Sequence, residues 1–174
     1  DDGGSSTGLM LELARLLCPQ RSRYAVWIAF FDAEEAVKTW SNTDSCYGSR
    51  QMASRFAASG DLKNIRAMLL ADIIGSRAPR IKRETSSTKS LVDLIWATAK
   101  RLGYSDVFLS EEGGALDDHD SFLKRGVPSV DVITDFLHNG YWHTPQDTLD
   151  KVSARTLGIV GHVFVETVKQ LQSK

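Results

Sequence analysis

The chain has 174 residues, a net charge of −1, 42% hydrophobic residues and 25% charged residues. That size suits one domain with a real core. The balanced charge offers no basic field to draw nucleic acid or anionic lipid, and no apolar run approaches the roughly 20 residues of a membrane-spanning helix.

Taken in chain order, residues 5–17 read as a helix. Ser5, Ser6 and Thr7 are N-cap candidates, Leu9, Leu13, Leu16 and Leu17 recur at helical spacing, and Pro19 stops the run. Tyr24 to Phe31 is short, apolar and rich in aromatic and branched residues, which predicts a buried strand. It ends in Asp32, Glu34 and Glu35. A loop from Trp40 to Tyr47 leads to a helix around residues 49–58, and Gly60-Asp61 makes a turn. Residues 65–74 predict a second buried strand, broken near its end by Asp72, and residues 76–86 an exposed basic loop. A helix follows over 87–102, with Leu91, Leu94, Ile95, Thr98 and Leu102 inward. Residues 106–109 form a short strand, 111–120 an acidic loop, 121–124 a short helix, 127–133 a strand and 135–149 a long loop. The last helix, 153–172, puts Ile159, Val160, Val163, Phe164, Val168 and Leu171 on one side. Cys18 and Cys46 lack metal-type spacing; they either pair in an oxidising compartment or stand as buried thiols.

Strands alternating with helices imply a layered α/β domain with a mostly parallel sheet, where ligands collect outside the C-terminal strand ends. The acids fall there. Glu34 and Glu35 follow the first strand, Asp72 ends the second, Asp117, Asp118 and His119 lie in a loop between strands, and His143 lies in the loop after the last. Each has a plainer reading when taken singly. Asp2 precedes a helix and suits an N-cap. Glu34 and Glu35 suit solvated loop charges, Asp117 and Asp118 a plain acidic loop, and His143 a surface histidine. Asp72, between Ala71 and Ile73, is harder to dismiss, because a buried acid needs a partner or a cation. Together, one imidazole and several carboxylates at the ends of different strands suit a borderline cation such as zinc, with a free carboxylate as general base. Neither HExxH nor CxxC occurs, so such a site must be assembled from distant segments.

Five stretches occur in a telling order: "DDGGSSTGLMLELARLL", "FFDAEEAVKTWSNTDSCYGSR", "LLADIIG", "DDHDSFLKRGVPSVDVI" and "YWHTPQDTLD". The chain thereby resembles the zinc aminopeptidase superfamily, and within it the zinc-type glutaminyl cyclases. The distinguishing pieces are Trp40 after the Glu pair, the "DSxYGSR" run, the "DDHxxFLxRGVP" block and the "WHT" triplet. The resemblance implies one zinc-aminopeptidase-like α/β domain over residues 1–174, a three-layer sandwich about a central mixed, mostly parallel sheet. It also implies that N-terminal strands of the usual fold are missing here, leaving a sheet edge that associates with the missing segment.

The implied activity is zinc-dependent conversion of N-terminal glutamine to pyroglutamate with release of ammonia. Asp2, Glu35 and His143 match the zinc ligands, and Glu34 matches the catalytic acid/base. Asp72 and Asp117 match carboxylates of a proton-handling network, with Asp118 beside them. Trp40 and Trp142 match walls of the substrate pocket. Asp131 stands where the animal enzymes carry a histidine, and Thr7 where they carry a disulfide cysteine. Implied partners are peptides or proteins with N-terminal glutamine, and the implied location is extracellular or periplasmic. The sister reading is a zinc aminopeptidase with two ions, in which Asp2 bridges and Glu34 activates water. Trp40 and the "DSxYGSR" run favour the cyclase. Presence of every ligand type speaks against a catalytically silent binding relative.

Overall fold

Leu9 and Leu13 lie one helical turn apart, and both are buried on the inner face of α1 (Gly4–Leu17). The computed structural model describes residues 1–173. Four further helices follow: α2 (Tyr47–Ser59), α3 (Lys89–Arg101), α4 (His119–Leu123) and α5 (Ala154–Ser173). The strands are β1 (Met68–Asp72), β2 (Ile81–Glu84), β3 (Phe108–Gly113) and β4 (Ser129–Ile133).

β1 pairs in parallel with β4, with Leu70 opposite Asp131, and β2 pairs in parallel with β3. An antiparallel bridge between Ile81 and Thr134 sets the two pairs side by side, in the order β3-β2-β4-β1. The sheet is therefore mixed and mostly parallel, as expected. Period-2 alternation splits its side chains between two cores. Leu69, Ala71, Val130 and Val132 face a large core with α1, α3 and α5, while Met68 faces a smaller one built from Ala53 of α2 and Phe122 of α4. That arrangement is the expected three-layer α/β sandwich. Full burial of a Val or Ile such as Val130, Val132 or Ile95 contributes about 1.5–3 kcal/mol each.

Several expectations need correction. Tyr24 to Phe31 forms no ladder, and Trp27 and Phe30 are 69% and 52% exposed. Its composition suits a buried strand, yet pairing requires a neighbouring backbone, and none lies in register beside it among the described residues. Ile28 alone reaches the large core from one side, and Phe31 reaches the small one. The supposed basic loop over 76–86 contains β2, with Ile81 fully buried and Glu84 4% exposed. The single apolar residue of β2 is hidden among Lys82, Arg83 and Arg80, which periodicity cannot see. The strand expected at 106–109 runs instead over Phe108–Gly113, so the first three residues of the acidic stretch are strand. Cys18 and Cys46 are both free; Cys18 is exposed and Cys46 buried, so neither expected pattern holds for the pair.

Candidate metal centre and active site

The Glu pair is organised by backbone. Ala33 adopts left-handed φ of 48°, which redirects the backbone just before Glu34 and Glu35. Three amides at the start of α2 then hold the segment: Cys46 N donates to the Glu34 carbonyl at 2.6 Å, Tyr47 N to Ala33 at 2.9 Å and Gly48 N to Asp32 at 3.1 Å. A Cβ on Gly48 would lie 2.5 Å from the Asp32 carbonyl oxygen, so only glycine permits this approach. The "DSxYGSR" run thus has a mechanical role. Asp44 accepts from the amides of Val37, Lys38 and Thr39 and from the Tyr47 hydroxyl, and pins the loop that carries Trp40.

Asp2 enters from the start of α1. Its amide donates to Asp147 at 2.9 Å. The neighbouring Asp1 carboxylate accepts from the Gly75 amide and the Tyr141 hydroxyl, both at 2.8 Å. A Cβ on Gly75 would meet Ser5, Val152 and Asp1 within 2.9 Å. This clamp ties together α1, the end of β1 and the loop of His143. His143 sits at φ 54°, and its Nε2 lies 2.9 Å from Glu35 Oε1 and 3.4 Å from Asp2 Oδ2. One ligand atom from each of Asp2, Glu35 and His143 falls within 4.8 Å of the others. Trp142 stacks on the His143 ring at 3.9 Å and packs on Phe136 at 4.6 Å. Trp40 stands 40% exposed and pairs with no aromatic ring among the described residues.

Behind this triad lie the remaining acids. Asp72 ends β1, and the next residue, Ile73, holds φ of 46°, a strained value for a β-branched side chain. Burial and the charge of Asp2 push Asp72 up to about 7. Burial, then Asp72 and Glu35, push Glu34 up to about 8. Asp117 and Asp131 are buried and raised above the usual range by loss of water; Asp131 also raises Asp117, and Asp72 raises Asp131. Both oxygens of Asp131 lack a hydrogen-bond partner. Asp2 too is raised, by partial burial and Glu35, with His143 opposing.

Glu84, whose Oε2 lies 3.3 Å from His119 Nε2, is a neighbour of the site that sequence reading passed over. Burial works against the Glu84 charge, but His119, Ser86 and Ser87 bond to it and hold its carboxyl well below the usual range. Ser87 Oγ donates to Glu84 Oε2 at 2.6 Å and accepts from the Asp131 amide at 3.0 Å, which links this ring to β4. An acid followed by serines two and three positions on is a recognisable local signal for such a ring. Asp1, Tyr141, Asp147 and Cys46 had no such signal.

The fold and site define an α/β metallopeptidase-type domain, with a candidate metal centre at the carboxyl ends of its strands. Two carboxylates and an imidazole with converging atoms fit a divalent cation, since their crowding costs free energy until a cation sits among them. The profile of Peptidase family M28 matches residues 1–168, and the chain belongs to that family. It is 31% identical to the glutaminyl-peptide cyclotransferase of Bos taurus, over 94% of this chain and 55% of that protein. The structure of a glutaminyl cyclase from an Acidobacteriales bacterium superposes with a TM-score of 0.92 at 40% identity, over 99% of this chain and 61% of that one. A leucine aminopeptidase precursor from Bacteroides thetaiotaomicron superposes with a TM-score of 0.83 at 28% identity, over 96% of this chain and 60% of that one. The chain spans about half the length of the curated relatives it matches.

Proposed function

We propose that this chain carries the catalytic site of a zinc-dependent glutaminyl-peptide cyclotransferase, acting on peptides and proteins with N-terminal glutamine. The observation that carries the reading is Glu34. It is half-buried next to the Asp2–Glu35–His143 triad, and its carboxyl is raised to about 8, so it can both take and give a proton near neutral pH. Similarity to glutaminyl cyclases over nearly the whole chain supports the same conclusion.

Asp2, Glu35 and His143 would hold the zinc ion, whose contribution is Lewis-acid polarisation of the substrate's γ-carbonyl. The substrate's α-amine attacks its own γ-amide carbon. Glu34 accepts a proton from that amine and delivers it to the departing amide nitrogen, so a C–N bond forms, a C–N bond breaks, and ammonia leaves. Burial and the charge of Asp72 raise the Glu34 carboxyl, which favours the protonated form needed for the second step, and Asp117, itself held towards its protonated form by burial, would belong to the same proton-handling network. Trp142, fixed on His143, and Trp40 serve as walls that hold the glutamine side chain in a reactive pose.

The aminopeptidase reading has one observation in its favour, the likeness to the leucine aminopeptidase precursor. The full-length protein, assayed with a Gln-initiated peptide and with a leucyl substrate, separates the two. Ammonia release with one zinc per chain supports the cyclase. Free leucine with two zincs supports the peptidase and overturns the proposal.

A further inference from the structure

The amide of Cys46 is bonded to the Glu34 carbonyl, and its own φ of 51° turns its thiol inward to 4% exposure. There the thiol meets acids. One ligand atom from each of Glu34, Cys46 and Asp117 falls within 4.8 Å of the others, a donor set distinct from Asp2, Glu35 and His143. Asp118 turns its carboxylate to the same place. Its charge works against the Cys46 thiolate, and its Oδ1 is buried and has no hydrogen-bond partner. Among the described residues, no lysine or arginine forms an ion pair with Glu34, Asp72, Asp117, Asp118 or Asp131. Buried carboxylates in that position keep a proton or take a cation.

We propose that Glu34, Cys46 and Asp117 form a second cation site, selective for thiophilic divalent ions such as cadmium or excess zinc, and that filling it stops turnover by occupying Glu34. A thiolate beside two carboxylates prefers soft or borderline ions over magnesium or calcium. Binding forms a sulfur–metal bond and breaks the S–H bond; that proton, with those that Glu34 and Asp117 hold, leaves to solvent. Burial holds the thiol near 12, so this proton is costly to remove and the site fills after the first one. The loss of turnover rests on the proposed role of Glu34; the binding itself does not.

The test titrates cadmium into zinc-loaded full-length protein carrying Cys18→Ser, following the ultraviolet thiolate-to-cadmium charge-transfer band, proton release and ammonia production together. Cadmium on the first triad is silent in this band, because that triad has no sulfur. The expected result is a band that rises with cadmium in excess, in step with proton release and loss of turnover. Adding Cys46→Ser, or Cys46→Ala as a guard against serine ligation, removes that rise and keeps turnover at the same cadmium concentration. No rise in the parent, or an unchanged rise in both Cys46 variants, overturns the site. A Cys46-dependent rise in a protein that never cyclises glutamine supports the site and overturns the functional reading instead.

Discussion

At the mouth of the site the side chains of Asp2, Glu35 and His143 are 28%, 57% and 43% exposed, whereas on its floor Asp117 and Asp131 are 4% and 0% exposed. Both regions crowd carboxylates together, yet they meet the cost in different ways. Water still reaches the mouth and screens its charges, so these side chains can converge on a cation. The floor has lost its water, so its acids are pushed towards holding protons. Glu84 shows that burial alone does not decide this. It is as buried as Asp117, but His119, Ser86 and Ser87 bond to it, and it stays ionised. The supply of donors separates Glu84 from Asp131, whose two oxygens have none.

The sharpest way to break this contrast is to disarm the mouth alone. His143→Asn keeps a residue that tolerates the left-handed backbone while removing the imidazole. Zinc affinity by calorimetry falls by more than about 100-fold, beyond the loss typical of an outer partner, and the pH dependence of metal-free stability stays as in the parent. An unchanged zinc affinity would remove His143 from the ligand set. Next comes the boundary between the two regions: Glu34→Gln retains zinc but lowers kcat by about 10²–10⁴-fold, the usual contribution of a general acid/base. Full activity in that variant sinks the acid/base assignment.

The floor is probed by pH. Asp72 lies at about 7 when folded against 3.8 unfolded, and Asp117 and Asp131 move in the same direction. Between those values the folded chain binds more protons than the unfolded one, so stability is full below about pH 4 and is lost as pH rises through about 7. Glu84 acts with the opposite sign, and its contribution is lost only as pH falls below its ordinary 4.5. Urea melts of metal-free full-length protein between pH 5 and 8 should therefore lose a few kcal/mol, on the order expected for a shift of this size. A flat profile would show that the floor has donors which this geometry lacks. Asp131→Asn removes one of those charges and should recover on the order of 1 kcal/mol at pH 8 and almost nothing at pH 5. Smallest of all, Trp142→Ala removes the ring stacked on His143 and should raise KM about 5- to 10-fold, equivalent to about 1 kcal/mol, with kcat nearly unchanged.

Much of this molecule was legible in advance. Leu9 and Leu13 at helical spacing placed α1, and the leucine and isoleucine pattern around Ile95 placed α3. The grouping of Asp2, Glu35 and His143 was expected from the family resemblance, and the fold does bring one ligand atom of each within 4.8 Å of the others. Less legible was β2, whose fully buried Ile81 sits among basic residues. Cys46 was invisible as a site residue, since nothing local to "TDSCYGS" says that its thiol turns towards Glu34.

By itself, then, the order of residues determined which segments are helical, where the turns fall and which side chains can bind a cation, because these depend on periodicity and on chemistry carried within a few residues. Only the tertiary structure decided that Tyr24 to Phe31 stays unpaired, that Ala33 turns left-handed so that adjacent glutamates serve one site, and that Asp131 is buried without a donor while Glu84 is not. Pairing, burial and the supply of donors depend on what other segments bring across space, and no window of sequence contains that.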